Sequence, residues 1–150
     1  MLNIDLHCHS NVSDGMLSPA DLVARAAANG VHVLALTDHD DVAGIAAAQV
    51  AAEATGLTLI PGVEISVSWG GQTVHIVGLR IDPAHPELAA GLAGIRLGRI
   101  ERAQRMGADL AQSGIAGAYE GAFACAVNKQ MVGRTHFARW LVAQGHAPDL

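Results

Sequence analysis

The sequence of 150 residues predicts an α/β fold built on a parallel sheet. Three observations support this prediction. Short runs of strand length, in which apolar residues predominate, recur at residues 4–8, 31–36 and 57–60. The segments between them carry helix start and stop signals and are too long to be hairpin turns. The second run is apolar almost throughout, which is typical of a strand buried on both faces of a parallel sheet.

The first helix is predicted to begin at Pro19 and to end at Gly30. Ser18 precedes it as the capping residue, and Asp21 lies three residues after that cap, a spacing typical of a helix N-terminus. Proline suits the first helical position because the amide there has no intrahelical partner. This helix would connect the first two strands as a crossover.

The second helix is predicted to follow Asp41, which we expect to act as its N-cap. Its alanine-rich body runs to Gly56, where a glycine marks the expected helix end. The third strand follows at residues 57–60 and completes a β-α-β-α-β unit.

A β-hairpin is predicted after the third strand. Apolar and polar residues alternate up to a Gly70-Gly71 turn signal. With a two-residue turn, Ser66 faces His75, and Glu64 becomes the diagonal neighbour of His75 on the same face. Diagonal neighbours lie about 7–8 Å apart at Cα, so a metal ion can bridge their side chains.

The rest of the chain is predicted to be helical. A long helix opens at Pro86, a break with Gly117 and Gly121 follows it, and a further helix covers residues 135–143. Arginines recur every three residues on the long helix, a spacing that winds around the helix, so we expect them to be solvated. These arginines are Arg96, Arg99, Arg102 and Arg105.

Composition excludes several classes of function. The formal net charge is −5 and there is no basic tract, which argues against binding to bulk DNA or an anionic membrane. Aromatic residues make up 3% of the chain, which argues against a base-stacking platform. No apolar run approaches the roughly 18 residues of a membrane span, and no basic region precedes an apolar N-terminal stretch. We therefore expect a cytoplasmic protein.

Candidate metal ligands follow the first two strands. His7 and His9 lie on one face of the first strand because side chains alternate, and Asp14 comes shortly after them. Cys8 should point the opposite way, into the packing. His39 is the candidate ligand after the second strand, within a polar cluster at residues 37–41. Imidazole and carboxylate groups that converge in this way predict a divalent-metal site.

Other residues of these clusters have less direct roles. Asp5 is either an orienting partner of a ligand or a hydrogen-bonding residue at the strand start. Thr37 and Asp38 are expected to hold the turn and to support the ligands. Glu64 stands between apolar neighbours, where an unpaired carboxylate is costly, so it needs a cation. A bridging carboxylate suits two ions about 3.5–4 Å apart and displacement at phosphorus.

A separate anion site is predicted near the C-terminal helix. Arg134 and His136 lie where that helix begins, and a helix N-terminus next to an arginine favours an anion. We expect these two residues to hold a substrate phosphate.

Four motifs together resemble those of the polymerase and histidinol phosphatase (PHP) superfamily. Within it the chain is most similar to bacterial 3′,5′-nucleoside bisphosphate phosphatases, a branch that includes enzymes described as 5′-to-3′ exoribonucleases. Residues 134–139 resemble the helical insertion of that branch. The four motifs are Asp5-Leu6-His7-Cys8-His9-Ser10, Leu36-Thr37-Asp38-His39-Asp40, Pro61-Gly62-Val63-Glu64-Ile65-Ser66 and Val74-His75-Ile76-Val77-Gly78.

The resemblance implies a distorted, TIM-like (β/α)7 barrel with two or three divalent ions, often Mn²⁺, with Fe²⁺ or Zn²⁺ as alternatives. Residues 1–95 would form the N-terminal half of this barrel, and residues 96–150 the start of a helical insertion. By position, one ion or pair would be held by His7, His9, Glu64 and His75, and another by Asp14 and His39, with Arg134 near the substrate phosphate. A later His-Pro segment and an Asp-x-His segment of the family are missing, so we expect the chain to be part of a larger enzyme.

The predicted reaction is metal-assisted hydrolysis of a phosphomonoester by an activated water. The predicted substrate is a small phosphorylated nucleotide, such as a 3′,5′-nucleoside bisphosphate, or the end of a short RNA. One alternative is an amidohydrolase acting on a C–N bond, which we disfavour because the only lysine, Lys129, lies outside any strand pattern. The other is a non-catalytic metal-binding module whose missing ligands come from elsewhere.

Overall fold

The computed structural model describes residues 1–149. Strands and helices alternate first, and helices alone follow. The first elements are β1 (Ile4–Cys8), α1 (Pro19–Ala28), β2 (Val33–Leu36), α2 (Ile45–Thr55), β3 (Thr58–Trp69) and β4 (Gln72–Leu79). The later elements are α3 (Pro86–Gln112), α4 (Ala118–Cys125), a 3₁₀ turn (Lys129–Met131) and α5 (Arg134–Ala143).

The chain divides into two compact units. Met1–Ala93 forms the first unit, and the second begins at Gly94 and takes up the rest of the described chain. The first unit contains a four-stranded sheet in the order β1-β2-β3-β4. β2 pairs in parallel with β1 and with β3, whereas β3 and β4 pair antiparallel. The α/β class predicted from the sequence is therefore confirmed.

β3 is one continuous strand, which corrects the prediction of a short third strand followed by a separate hairpin strand. Thr58 to Pro61 pair with β2, and Gly62 to Trp69 pair with β4. A Cβ at Gly62 would press against Thr37 and against the carbonyl oxygens of the neighbouring strands. Glycine at this position therefore lets one strand change partner without a break. The predicted hairpin register is confirmed, since Ser66 pairs with His75.

The two helices of the first unit begin differently from each other. Ser18 caps α1 as predicted, because its hydroxyl accepts a 3.1 Å hydrogen bond from the backbone N–H of Asp21. The prediction that Asp41 caps α2 is wrong, since α2 begins at Ile45. Asp41 accepts instead from the backbone N–H of Ala43 at 3.0 Å, which holds the loop before the helix.

The core of the first unit lies between the sheet and helices α1 and α2. Several of its helical residues are alanines, whose small side chains allow the helices and the sheet to approach closely. The buried apolar residues are Val23, Ala26, Leu34, Leu36, Ile45, Ala48, Ala52, Leu57 and Leu59.

The second unit packs α4 and α5 together with part of α3. α4 replaces the predicted break, because Gly121 lies within a helix. A Cβ at Gly121 would overlap the indole of Trp140, so glycine is what allows α4 to approach α5. Arg99 is 6% exposed, so the prediction that all four arginines of α3 are solvated is wrong for this residue. Arg105 lies at the helix surface, where it pairs with Glu101 at 3.9 Å.

No helix in the described part of the chain combines the length and the apolar character that crossing a membrane requires.

Candidate metal centre

The six candidate ligands of the first unit lie close together. β1 carries His7, and His9 follows it directly. His39 lies in the loop after β2, while Glu64 and His75 lie on the β3–β4 hairpin. Three groups of three can each hold an ion, because their ligand atoms lie within 4.8 Å of one another. The groups are His7, His9 and Glu64; His9, Asp14 and His39; and His39, Glu64 and His75.

Glu64 lies at the centre of these groups. Its Oε2 atom is 2.9 Å from His7 Nε2 and 3.0 Å from His9 Nε2. The same oxygen lies 3.4 Å from His39 Nδ1, and Oε1 lies 3.4 Å from His75 Nδ1. A single carboxylate thus faces four imidazoles, and its two oxygens point towards different ligand sets. This is the arrangement of a bridging ligand.

The spacing of the ligand atoms fits a divalent ion. The Nε2 atoms of His7 and His9 lie 3.0 Å apart. Two ligands about 2.1 Å from one ion and at right angles to each other would be separated by about 3.0 Å. The donor set consists of imidazole nitrogen and carboxylate oxygen, which suits Mn²⁺, Fe²⁺ and Zn²⁺ alike.

The electrostatics of Glu64 also fit a site for a cation. Its side chain is buried, with 6% of the residue exposed. Burial by itself raises the pKa of this carboxyl, but the hydrogen bond with His7 and the charges of His39 and His9 outweigh it and hold the pKa below its usual range. Glu64 is therefore a carboxylate at neutral pH, ready to face a metal ion.

Asp14 lies at the other side of the cluster. Its Oδ1 atom is 3.8 Å from His9 Nδ1, and its Oδ2 atom is 4.0 Å from His39 Nε2. These separations leave room for a second ion beside the one that Glu64 faces.

Asp38 supports the cluster without joining it. Both of its oxygens accept hydrogen bonds, from the backbone N–H and hydroxyl of Ser10 and from the hydroxyl of Ser13. Burial raises the pKa of Asp38, against the opposing effect of these hydrogen bonds. The side chains of Ser10 and Ser13 are buried, and the sequence did not predict that these two serines support the site.

Asp40 is a second supporting residue that the sequence analysis did not identify. Its backbone has a φ of 46°, in the left-handed region that non-glycine residues rarely adopt. Its Oδ1 atom accepts a 2.6 Å hydrogen bond from the backbone N–H of Ser66. This bond ties the loop that carries His39 to the hairpin that carries Glu64 and His75.

Cys8 and Asp5 are the two remaining residues of β1 with a predicted role. Cys8 donates from Sγ to the carbonyl of Ala35 at 3.1 Å and packs against the core, as predicted. Burial, together with the charges of Asp5 and Asp38, raises the pKa of this thiol to about 12. Asp5 accepts a 3.2 Å hydrogen bond from the backbone N–H of His7, as a hydrogen-bonding residue at a strand start does.

The predicted anion residues lie in the second unit. Arg134 is exposed at the first position of α5. His136 is buried, and its Nδ1 atom accepts a 3.2 Å hydrogen bond from the backbone N–H of Gly133 as part of a helix cap. Binding of a substrate phosphate by these two residues stays a prediction.

A family model described as the PHP domain matches residues 5–128, a range that contains all six candidate ligands. The chain belongs to the PHP domain family. This confirms the resemblance drawn from the four sequence motifs.

Two curated relatives of this PHP domain have names that state an activity. It is similar to a 3′,5′-nucleoside bisphosphate phosphatase of Chromobacterium violaceum, with 56% identity over 150 residues, 100% of this chain and 53% of that protein. It is also similar to a 5′-3′ exoribonuclease of Haemophilus influenzae, with 52% identity over 141 residues, 94% of this chain and 51% of that protein. The chain spans about half the length of the curated relatives it matches.

Two solved structures share the fold of this PHP domain. One is a Chromobacterium violaceum protein described as an amidohydrolase with bound sulfate and no metal, with a TM-score of 0.95, 56% identity, and coverage of 98% of this chain and 52% of that chain. The other is a Bifidobacterium adolescentis protein with the provisional description of a metal-dependent phosphoesterase, with a TM-score of 0.87, 33% identity, and coverage of 98% of this chain and 52% of that chain.

Proposed function

We propose that this PHP domain holds the divalent metal ions of a hydrolase that removes phosphate from a nucleotide. The proposed substrate is a 3′,5′-nucleoside bisphosphate or the 5′ end of a short RNA. One observation carries the proposal: the buried carboxylate of Glu64 lies within 2.9 to 3.4 Å of nitrogen atoms from four histidines. The names of the two curated relatives support the choice of substrate class.

The proposed cofactors are two or three divalent ions, with Mn²⁺ preferred and Fe²⁺ or Zn²⁺ as alternatives. When bound, such ions lower the pKa of a water molecule and neutralise charge on a phosphoryl group. His7 and His9 would hold one ion with Glu64, while Asp14 and His39 would hold another. His75 would complete a third position next to Glu64.

The remaining residues would bind and orient the substrate. Arg134 would bind a substrate phosphate at the N-terminus of α5, where the helix dipole and the guanidinium both attract an anion. His136 would support the same phosphate by holding the cap of that helix, since its side chain is buried and its Nδ1 atom accepts from the backbone N–H of Gly133. We further propose that the sheet described above belongs to a distorted (β/α)7 barrel of which this chain supplies the N-terminal part.

The experiment begins with the metal content of the chain, purified without chelators and measured by elemental mass spectrometry. We expect at least one ion per chain, and a value near zero would overturn the proposed metal centre. Release of phosphate from adenosine 3′,5′-bisphosphate and from 5′-phosphorylated RNA is then measured with Mn²⁺ present. Alanine at His7 or His9 should abolish any release that the chain supports.

This experiment distinguishes a hydrolase from a non-catalytic metal-binding module. Bound metal with no phosphate release, in the chain alone and in the chain mixed with the remaining segment of a relative, would favour a metal-binding module. Release that appears only in the mixture would support the hydrolase and show that further ligands are required.

The amidohydrolase alternative depends on a lysine that could bridge two ions. Lys129 does not fit that role, because its Nζ atom donates 2.7 Å hydrogen bonds to the carbonyls of Phe123 and Ala126 at the end of α4. The structural relative described as an amidohydrolase is the observation that keeps this alternative open to test. Hydrolysis of an amide substrate under the same conditions, with no phosphate release from the nucleotide substrates, would establish it.

A further inference from the structure

The side chain of Asp38 connects the metal centre to the loop after β1. Only 1% of this residue is exposed. Its Oδ1 atom accepts from the backbone N–H of Ser10 at 2.8 Å and from the hydroxyl of Ser13 at 2.6 Å. Its Oδ2 atom accepts from the hydroxyl of Ser10 at 2.6 Å. Three hydrogen bonds from one loop therefore end on one buried carboxylate.

The backbone of Asp38 makes a further connection. Its carbonyl oxygen accepts a 3.1 Å hydrogen bond from the backbone N–H of Glu64. His39 follows directly in the chain. Asp38 thus contacts or adjoins the three segments that carry His9, His39 and Glu64.

The hydroxyl of Ser13 transmits the effect of Asp38 to His9. A serine hydroxyl has a single proton, and the short bond to the Asp38 carboxylate uses it. Ser13 Oγ also lies 3.5 Å from His9 Nδ1, at the long end of hydrogen-bond distance. Because its proton is already engaged, the hydroxyl can only accept at this contact, which favours a proton on Nδ1 of His9.

The opposite nitrogen of His9 faces the metal ligands. With a proton on Nδ1, the neutral imidazole keeps the Nε2 lone pair unprotonated. That atom lies 3.0 Å from Glu64 Oε2 and 3.0 Å from His7 Nε2. The carboxylate of Asp14 lies 3.8 Å from Nδ1, on the same side as Ser13, and it also favours the proton there. The Glu64 carboxylate beside Nε2 competes for this proton only while no ion is bound.

We propose that Asp38 acts through Ser13 as a positioning residue: it directs the His9 proton to Nδ1 and so presents Nε2 to the ion that His7 and Glu64 hold. This inference rests on the metal centre proposed above. It also assigns His9 to one of its two candidate ion groups, because a protonated Nδ1 cannot serve the ion beside Asp14. Partners that orient a ligand histidine in this way typically contribute 10–100-fold to metal affinity.

The chain offers a matched pair of variants for the test. Ser10 and Ser13 are both buried, and each donates a 2.6 Å hydrogen bond to Asp38. Only Ser13 also contacts His9. Ser10→Ala therefore removes a bond to Asp38 and the 3.2 Å bond from the N–H of Val12, but it keeps the connection to His9. Ser13→Ala removes that connection.

The first measurement is Zn²⁺ affinity, by competition with a chelator, alongside the melting temperature of each variant. We expect Ser13→Ala to weaken Zn²⁺ binding about tenfold or more, and Ser10→Ala to leave it within about threefold. Equal losses in the two variants would overturn the inference, because Asp38 would then act only by holding the loop. Absence of Zn²⁺ binding in the unaltered chain would overturn both this inference and the metal centre.

The second measurement reads the proton directly, by ¹⁵N–¹H NMR of the histidine rings in the Zn²⁺-loaded chain. We expect His9 to carry its proton on Nδ1, with Nε2 shifted by the metal, and the Nδ1 proton signal to exchange faster with solvent in Ser13→Ala. A His9 bound through Nδ1 would overturn the inference.

Two changes at Asp38 itself complete the test. Asp38→Asn keeps an oxygen that can face Ser13, whereas Asp38→Ala does not. We expect the Asn variant to retain the Nδ1 proton of His9 and the Ala variant to lose it. Should Asp38→Ala fail to fold, the two serine variants decide the question by themselves.

Discussion

His39 and Glu64 form an isolated parallel β-bridge outside the regular strand pairs. The backbone N–H of Glu64 donates to the carbonyl of Asp38 at 3.1 Å, and the backbone N–H of Asp40 donates to the carbonyl of Glu64 at 3.0 Å. This bridge brings His39 Nδ1 within 3.4 Å of Glu64 Oε2. Backbone hydrogen bonds therefore set the spacing of the two segments that carry these ligands, and little backbone entropy remains to be lost when an ion binds.

Glu64→Gln should lower the metal content by at least one ion per chain. The amide keeps the shape of the side chain but loses the negative charge that faces four histidines, and it cannot bridge two ions. Elemental mass spectrometry measures the effect. Glu53→Gln is the control, because Glu53 is exposed on α2 and bonds only to Gln49 at 3.3 Å among the contacts described for it. Full metal content in Glu64→Gln would contradict the central role of this carboxylate.

His75→Ala should remove one ion and leave the others in place. His75 belongs to one of the three candidate ligand groups, whereas Glu64 belongs to two. We expect the metal content to fall by about one ion relative to the unaltered chain. His85→Ala is the matched control, since His85 is exposed and belongs to none of the three groups. A loss of all metal in His75→Ala would show that the ions do not bind independently of one another.

Cys8 should resist alkylation at pH 8 while Cys125 reacts. Burial raises the pKa of the Cys8 thiol from its ordinary value near 9 to about 12, which leaves about a thousandfold less of the reactive thiolate. Cys125 is exposed. Iodoacetamide labelling followed by mass spectrometry should find one modified cysteine in the native chain and two in urea.

The same shift has a consequence for stability. The pKa of the Cys8 thiol is higher in the folded chain than in the unfolded chain. The stability that this thiol contributes to the fold is therefore fully present below pH 9 and is lost as the pH rises towards 12. The free energy of unfolding, measured with denaturant, should therefore fall over this range more for the unaltered chain than for Cys8→Ala. If the free energy of unfolding fell equally with pH for the two proteins, the raised pKa of Cys8 would be contradicted.

Gly121→Ala should destabilise the second unit by about 1–3 kcal/mol. The added methyl group would overlap the indole of Trp140, so α4 and α5 must move apart. Gly98→Ala is the matched control: a Cβ at Gly98 in α3 meets nothing within 4 Å. There the change should stabilise the helix by about 0.5–1 kcal/mol. Thermal unfolding followed by circular dichroism should shift in opposite directions for the two variants.

Local rules of the chain accounted for much of the first unit. The alternation of side chains and the Gly70-Gly71 turn predicted that Ser66 would pair with His75, and the pairing is confirmed. The cap at Ser18 is confirmed for the same reason, because hydrogen bonds between residues close in sequence decide it. Each of these features depends on side-chain alternation or on a residue spacing that can be seen within a few neighbouring residues.

Features that depend on distant partners were missed or wrong. The sequence suggested a break between the third strand and the hairpin, but β3 continues because β2 and β4 pair with its two halves. Arg99 was expected in solvent because its spacing on the helix carries no sign of burial. The clamp of Ser10 and Ser13 on Asp38 joins residues at least 25 positions apart, and no local pattern encodes it.

The sequence by itself determined the α/β class, the order of its first strands and helices, the hairpin register and the family, because motif spacing and periodicity are properties of the chain. It also identified the six residues whose side chains suit a metal site. Only the tertiary structure decided that Glu64 lies between four imidazoles and that Asp38 gives its support through Ser10 and Ser13. The reason is physical: which oxygen faces a histidine and which faces a serine depends on how segments far apart in sequence pack against one another.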